Sequence, residues 1–491
     1  MMLECNIPLN KREKMTTWLN KYVPNAGSIP CSNTLQKEYL PKVLQRYKEE
    51  IIQKIKDKPL SVIIDASPDR LSRQVVNTIV QCELSGEKFL LNTTFLDSVN
   101  HLSLFGIIDS VRQDYGLKWK NFDTLVCDSA SYNKKVYKTI KDGINPKLRL
   151  MRCWTHLLDL VSDTWQDSCL NNKVHTLVAK FQQLMNKSSS RKARYLQFLR
   201  DKKVPNVKGM PTVVLSRWNT WYKANEYLYE YLPYIFDFLK DEKANQEASD
   251  LVERIFELLN NSREFAEIKL MIAFNTEKAN IFHDIIEKFE RSSGFAHQAY
   301  NMIMNLWNHL RFAIYQGDYG EVINNIICTH GMDKEYWNEE FQKLYKIAWK
   351  KLDTLIKGYE SMDFFKLMRV FDPSQLKTLT KDIKEYELVF NLSDPPLLKQ
   401  FKAYLVSNMD MFYEPNLREF WRGMSLNCPE LSKLAIQSLN TPVTSVDIER
   451  SFSMYRDILS HKRCSLKLSS INVLSMANYN KNFNNEIYND E

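Results

Sequence analysis

The 491-residue sequence predicts an α/β core interrupted by a large all-α insertion, with helix in the majority overall. Three observations carry this expectation. Five strand-like runs between residues 60 and 152 alternate with helical stripes in the order β-β-β-α-β-α-β-α, the pattern of a mixed sheet that a strand rejoins after a crossover helix. Residues 223–428 carry amphipathic helical spacing and no convincing strand. The chain has only 12 glycines, roughly 2% against a usual 7%, which disfavours a turn-rich all-β design.

Residues 33–58 read as a helix, striped by Leu40, Val43, Leu44, Tyr47, Ile51, Ile52 and Ile55, with Pro41 forcing a kink or restart. The period then changes to that of strands at Leu60–Ala66, Arg73–Cys82 and Glu87–Leu96, the last alternating Phe89, Leu91, Thr93 and Phe95. Their short connections suit an antiparallel meander. Helical spacing returns over Ser98–Tyr115, Phe122–Cys127 is a compact apolar strand, and Ser131–Asp142 is a helix stopped by Gly143. A fifth strand, Lys147–Arg152, precedes helices from about Trp154, over Lys173–Lys187, and from Ser216 onward. Within the insertion Leu251–Leu259, Ile281–Phe289 and Tyr300–Leu310 are the clearest helices. Near the C-terminus, Ile448, Phe452, Tyr455 and Leu459 stripe another, with Pro442 after Thr441 read as its first residue beyond an N-cap. The domains expected are 1–58, a helical segment; 59–222, the first part of the core; 223–428, the insertion; and 429–491, which completes the core.

Composition narrows the class. An apolar share of 44% and a charged share of 26% are ordinary for a globular protein. The net charge of +8 is compatible with a polyanionic partner without requiring one. Nine scattered cysteines with no C-x2-C pair point to reduced thiols in the cytosol or nucleus rather than a disulfide scaffold. No secretion signal is read at the N-terminus, no run is long enough to span a bilayer, and no membrane partner is expected.

Three acids stand out. Asp65 ends the first strand and Asp128 the fourth; if these strands are parallel neighbours, both carboxylates emerge at the sheet edge where open α/β sheets bind ligands. Two carboxylates side by side repel, and a divalent cation that prefers oxygen relieves the repulsion. Glu449, on the polar side of the C-terminal helix, is the third acid that a two-metal phosphoryl-transfer site requires. The competing reading is that each aspartate merely caps a turn or helix. Asp123 lies at the start of its strand and so at the wrong edge, and Asp69, one turn past Asp65, reads as structural.

Pro442, Ser445, Glu449-Arg450, Phe452-Ser453, Arg463, Leu466, Leu474 and Asn478 resemble the C-terminal signature of hAT-superfamily transposases, and Phe420-Trp421, Pro429 and Leu434-Ala435 resemble its lead-in. Upstream, Cys153 and His156 are similar to the family's C-x2-H motif, and Arg217-Trp218 to its R-W motif. The resemblance implies an RNase H-like core with an all-α insertion, Asp65, Asp128 and Glu449 as a catalytic DDE triad binding two Mg²⁺ or Mn²⁺ ions, and nuclear DNA cleavage followed by strand transfer. It also implies His156 near the scissile phosphate and Trp218 stacking on a base turned out of the duplex, a role suited to an indole face. For both, a buried structural role is the alternative. Cys153 and His156 alone do not make a zinc site, which needs four ligands.

Basic residues cluster at Arg191, Lys192, Arg194, Lys202, Lys203 and Lys208, and at His461, Lys462, Arg463 and Lys467, as candidates for phosphate contact or as solvated faces. Leu466, Leu468, Ile471, Val473 and Leu474 are candidates for the dimer surface that the resemblance implies, or for ordinary core. The chain departs from the family in two ways: no BED-type zinc finger is read around Cys5 and Cys31, and Ala66-Ser67-Pro68-Asp69 stands where a tryptophan is usual. Three readings follow, an hAT-type transposase with DNA and a second copy of itself as partners, a domesticated, inactive descendant that binds DNA or protein as a dimer, or a hydrolytic nuclease that cleaves without joining strands.

Overall fold

A computed structural model of the chain describes residues 7–69, 72–214, 220–244, 249–291, 296–407, 416–458 and 467–486. Contacts divide it into two compact units, one of Met1–Thr155, Phe289–Tyr300 and Tyr359–Glu491, the other of His156–Lys288 and Asn301–Gly358.

The first unit contains the sheet. Its strands are β1 (Leu60–Pro68), β2 (Gln74–Cys82), β3 (Lys88–Leu96), β4 (Phe122–Cys127) and β5 (Arg149–Arg152), in the spatial order β3-β2-β1-β4-β5. The first three are antiparallel, and β4 and β5 add in parallel on the far side of β1. This is the mixed five-stranded sheet with flanking helices that the element order predicts. Asp69 closes the β1–β2 turn as a structural residue: its carboxylate accepts from the Arg73 backbone at 3.0 Å and pairs with the Arg73 guanidinium at 2.6 Å. Gly86, at φ +78° in the β2–β3 turn, needs the left-handed region, and a Cβ there would stand 3.3 Å from Asn440 Oδ1.

Seven helices of this unit matter below: α1 (Arg12–Tyr22), α2 (Leu40–Ile55), α3 (His101–Asp114), α4 (Ser131–Gly143), α5 (Pro429–Leu439), α6 (Val446–Ile458) and α7 (Leu468–Glu486). Pro41 sits at the first turn of α2, where its missing N–H costs no intrahelical bond, and a π-helical turn over Leu35–Tyr39 precedes it. Asn100 caps α3, accepting from the Leu102 and Ser103 amides, so this helix starts three residues later than periodicity alone suggests. Helix α6 starts at Val446, not at Pro442. The chain from Thr441 to Ser445 runs as a non-helical approach, with the Val443 carbonyl accepting from Trp154 N at 3.2 Å, so Pro442 does not serve as an N1 proline.

Ile448, Phe452, Tyr455 and Ile458 of α6 are buried; each such side chain contributes about 1.5–3 kcal/mol. Leu459, the predicted end of the stripe, lies outside the described residues. Helix α7 covers β3, the edge of the sheet. Asn480 accepts from Leu90 N at 2.7 Å and donates to Leu90 O at 3.1 Å, while Asn472 accepts from Thr93 N at 2.9 Å, so two amide side chains satisfy an otherwise open edge. Ile471 and Val473 are buried, as the ordinary-core alternative expects; Leu468 is exposed, Leu474 half-buried, and Leu466 outside the described residues.

At the N-terminal edge of β1 and β4, Asp123 is the extra residue of a bulge, where β4 advances from Phe122 to Thr124 while β1 advances from Leu60 to Ser61. The bulge places it beside the buried Glu83, and Gln437 of α5 donates to both carboxylates, at 3.0 Å to Glu83 and 2.5 Å to Asp123. Burial first, and then the Glu83 charge, push the Asp123 carboxyl up to about 6. An unfolded aspartate titrates near 3.9. The folded state therefore holds this proton more tightly, and the stability it confers is present below about pH 4 and is lost as pH rises through about 6. Asp123→Asn keeps an acceptor for Gln437 and removes the charge. Urea midpoints of this variant should exceed wild type at pH 7 and coincide with it near pH 4.

The second unit is helical. Its core centres on Trp165, fully buried against Phe274, Phe282 and Tyr345 with its indole N–H donating to Leu344 O at 3.0 Å. One helix here, Ser189–Asp201, is absent from the sequence reading, where its density of Lys and Arg registers only as a charge cluster. The structure corrects the role of two of those cations. Arg191 and Arg194 both pair with Glu242 of the helix Thr220–Ala244, at 2.9 and 2.7 Å, and the Tyr195 hydroxyl bonds that of Tyr227 at 2.7 Å. They hold one helix on another. Burial with both arginines bonded leaves the Glu242 carboxyl below its usual value, because the two pairings outweigh desolvation. No helix among the described residues is long and apolar enough to cross a membrane.

Candidate functional site

The parallel pairing of β1 with β4 sets Val62 beside Leu125 and Ile63 beside Val126. Asp65 and Asp128 come two residues after the last of these pairs, Asp65 within β1 and Asp128 directly past the end of β4. The period of two along β1 puts Asp65 on the face occupied by Ile63. The charges of the two aspartates are felt together: the Tyr132 hydroxyl is pushed up to about 12 by burial and then by Asp128 and Asp65. The same two carboxylates, after burial, raise the Cys127 thiol far above its ordinary value and keep it inert.

Asp128 also does what a strand-end aspartate commonly does. Its Oδ1 accepts from Ala130 N at 2.8 Å and from Asn133 Nδ2 at 2.6 Å, fixing the carboxylate at the start of α4. Asn133, which is buried, was not singled out from sequence, since an asparagine in the first turn of a helix carries no signal of its partner. Asp65 Oδ1 accepts from Ala66 N at 2.7 Å.

The face carrying Asp65 is covered by α6. Asn77, opposite Asp65 in the β1–β2 register, donates to Ser451 Oγ at 2.7 Å. At the other side, Ser445 N donates to Cys153 Sγ at 3.2 Å, and Cys153 follows β5, whose Arg152 pairs with Cys127. Glu449 lies in the first turn of α6, between Ser445 and Ser451 in the chain. It is half-buried. Among the described residues no group of three or more His, Cys, Asp or Glu side chains is close enough together to hold a metal ion.

The helix is seated by charge as well as by its apolar stripe. Lys88 of β3 pairs with Asp447 at 2.6 Å, with both side chains more than nine-tenths buried, and Arg450 reaches the same carboxylate at 3.2 Å. Arg450 also donates to Glu290 O at 2.7 Å, so it ties α6 to the segment Phe289–Tyr300. Cys153 is buried with Thr155 Oγ1 2.8 Å from its sulfur. His156 is half-buried in the second unit. Lys202 and Lys203 are exposed just beyond the helix Ser189–Asp201. Arg217, Trp218, Lys462 and Arg463 lie outside the described residues.

Residues 397–480 match the model of the hAT family C-terminal dimerisation region, and residues 1–42 match that of the CGGBP1 helical domain. No curated protein matches the chain. The first match spans α5, α6 and most of α7, the helices laid over the sheet, and supports an hAT transposase-like protein that self-associates.

Proposed function

We propose that this chain is an hAT-type transposase that binds DNA in the nucleus as a dimer or higher oligomer and cuts and joins strands with Asp65, Asp128 and Glu449. The observation that supports this best is the parallel pairing of β1, which carries Asp65, with β4, which Asp128 directly follows, both carboxylates acting on the Cys127 thiol and the Tyr132 hydroxyl. Their oxygen chemistry suits Mg²⁺ or Mn²⁺. Such ions, when bound, activate the attacking hydroxyl and stabilise charge on the phosphate. Asp65 and Asp128 would hold them. The Ala130 amide and Asn133 orient Asp128, and the anchors at Ser445 and Ser451 fix the helix that carries Glu449.

A second reading, a transposase-derived dimer that binds DNA or protein without cutting, is favoured by the spacing of the acids, which are not grouped as a preformed three-carboxylate cage among the described residues. A supercoiled-plasmid nicking assay with Mg²⁺ or Mn²⁺ separates the two. The first reading expects nicking by wild type that is lost in Glu449→Gln, with circular dichroism and sedimentation unchanged. Wild-type protein that self-associates and binds DNA but leaves the plasmid closed establishes the second.

A further inference from the structure

Helix α1 is an 11-residue helix with no buried side chain. It is tied back only lightly, by Arg12 Nη1 donating to Ile29 O at 3.3 Å and by Ser32 Oγ donating to Leu9 O at 3.0 Å, across its N-terminal approach. Lys11, Lys14, Trp18 and Lys21 follow one another at spacings of three and four, and Tyr22 is four beyond Trp18, so they lie on one side of it. The three lysines are exposed, and Trp18 and Tyr22 are 58% and 59% exposed with ring centroids 5.6 Å apart. Lys21 Nζ stands 4.9 Å from the Tyr22 ring. Glu13, the helix's one acid, is on the opposite side and takes up Arg12 at 3.2 Å. The surrounding residues 1–58 hold eleven Lys and Arg against six Asp and Glu.

We infer that this side of α1 binds an unpaired DNA strand, its lysines on phosphates and Trp18 and Tyr22 stacked on bases. The inference rests on the reading that DNA is the partner and adds a contact surface separate from the three acids. Interleaving decides the kind of polyanion. A helix that lies on a membrane segregates its cations from its large apolar side chains, onto opposite faces. Here both occupy one side, the arrangement that serves a strand whose charged backbone and flat bases alternate.

The test is fluorescence anisotropy of the full chain with a labelled mixed-sequence 30-mer, single-stranded and duplex, across a salt series. The variants are Lys11→Gln/Lys14→Gln/Lys21→Gln and Trp18→Ala, which remove no buried side chain. The triple variant should reduce the slope of log affinity against log salt by about 2, at roughly 0.7 per phosphate. Trp18→Ala should weaken single-strand binding about five- to a hundredfold and duplex binding less. An unchanged slope, equal losses on both DNA forms, or displacement of the DNA by phosphatidylserine vesicles but not by neutral ones overturns the inference. Wild type that binds no DNA overturns the DNA reading as a whole, whereas wild type that binds with variants unaltered overturns the α1 surface alone. Nicking by the acids is read separately and bears on neither outcome.

Discussion

Asp128→Asn should leave the fold intact and reduce metal-dependent plasmid nicking by more than about 100-fold. Asparagine keeps an oxygen to accept from Ala130 N and Asn133, so the start of α4 is preserved. What it loses is the negative charge. Removing a residue that merely orients a metal ligand typically costs 10- to 100-fold, so removing the ligand's own charge should cost at least that. Single-turnover nicking with Mg²⁺, alongside urea unfolding, checks the prediction. Nicking that persists in a folded Asp128→Asn protein removes this residue from the chemistry and leaves it as the turn-capping aspartate that its hydrogen bonds alone describe.

Asp447→Ala should destabilise the first unit by about 3–5 kcal/mol. The substitution leaves Lys88 in a site more than nine-tenths buried with its 2.6 Å partner gone, and breaking one side of a buried pair carries a penalty of this size. It also removes the carboxylate that Arg450 reaches at 3.2 Å on the same helix. Replacing both members with apolar residues, Lys88→Met with Asp447→Leu, should recover most of the loss, because the desolvation of both charges disappears together. Urea midpoints of the single and double variants decide this. Equal destabilisation in both would mean that the pair contributes through packing instead of charge. Because Asp447 lies two residues before Glu449, the single variant should also shift the third acid and lower nicking in the fraction that remains folded.

Both predictions depend on features that differ in how far the sequence exposes them. The five strands and the helices around them were legible because alternation and helical spacing are local: Phe122–Cys127 is found as predicted, and Leu60, Cys82, Leu96 and Arg152 bound strands where the pattern of apolar residues begins or breaks. Capping is legible less often. Asn100 moves the start of α3, and Ser445 rather than Pro442 precedes α6, since a proline that suits N1 also suits the extended approach found here. The charge cluster on Ser189–Asp201 was visible, but not its purpose, because Glu242 lies about fifty residues away in the sequence.

By itself the sequence determined the mixed sheet's strands, the helical majority and the choice of three acids, each placed by a local pattern of strand end or helix face. Only the tertiary structure decided that β1 and β4 are parallel neighbours, that the chain around α6 is anchored at Cys153 and Asn77, and that Ile471 and Val473 are buried. The reason is physical. Strand pairing, buried ion pairs and helix docking join residues up to almost four hundred positions apart, and their energies depend on a partner that no local window contains.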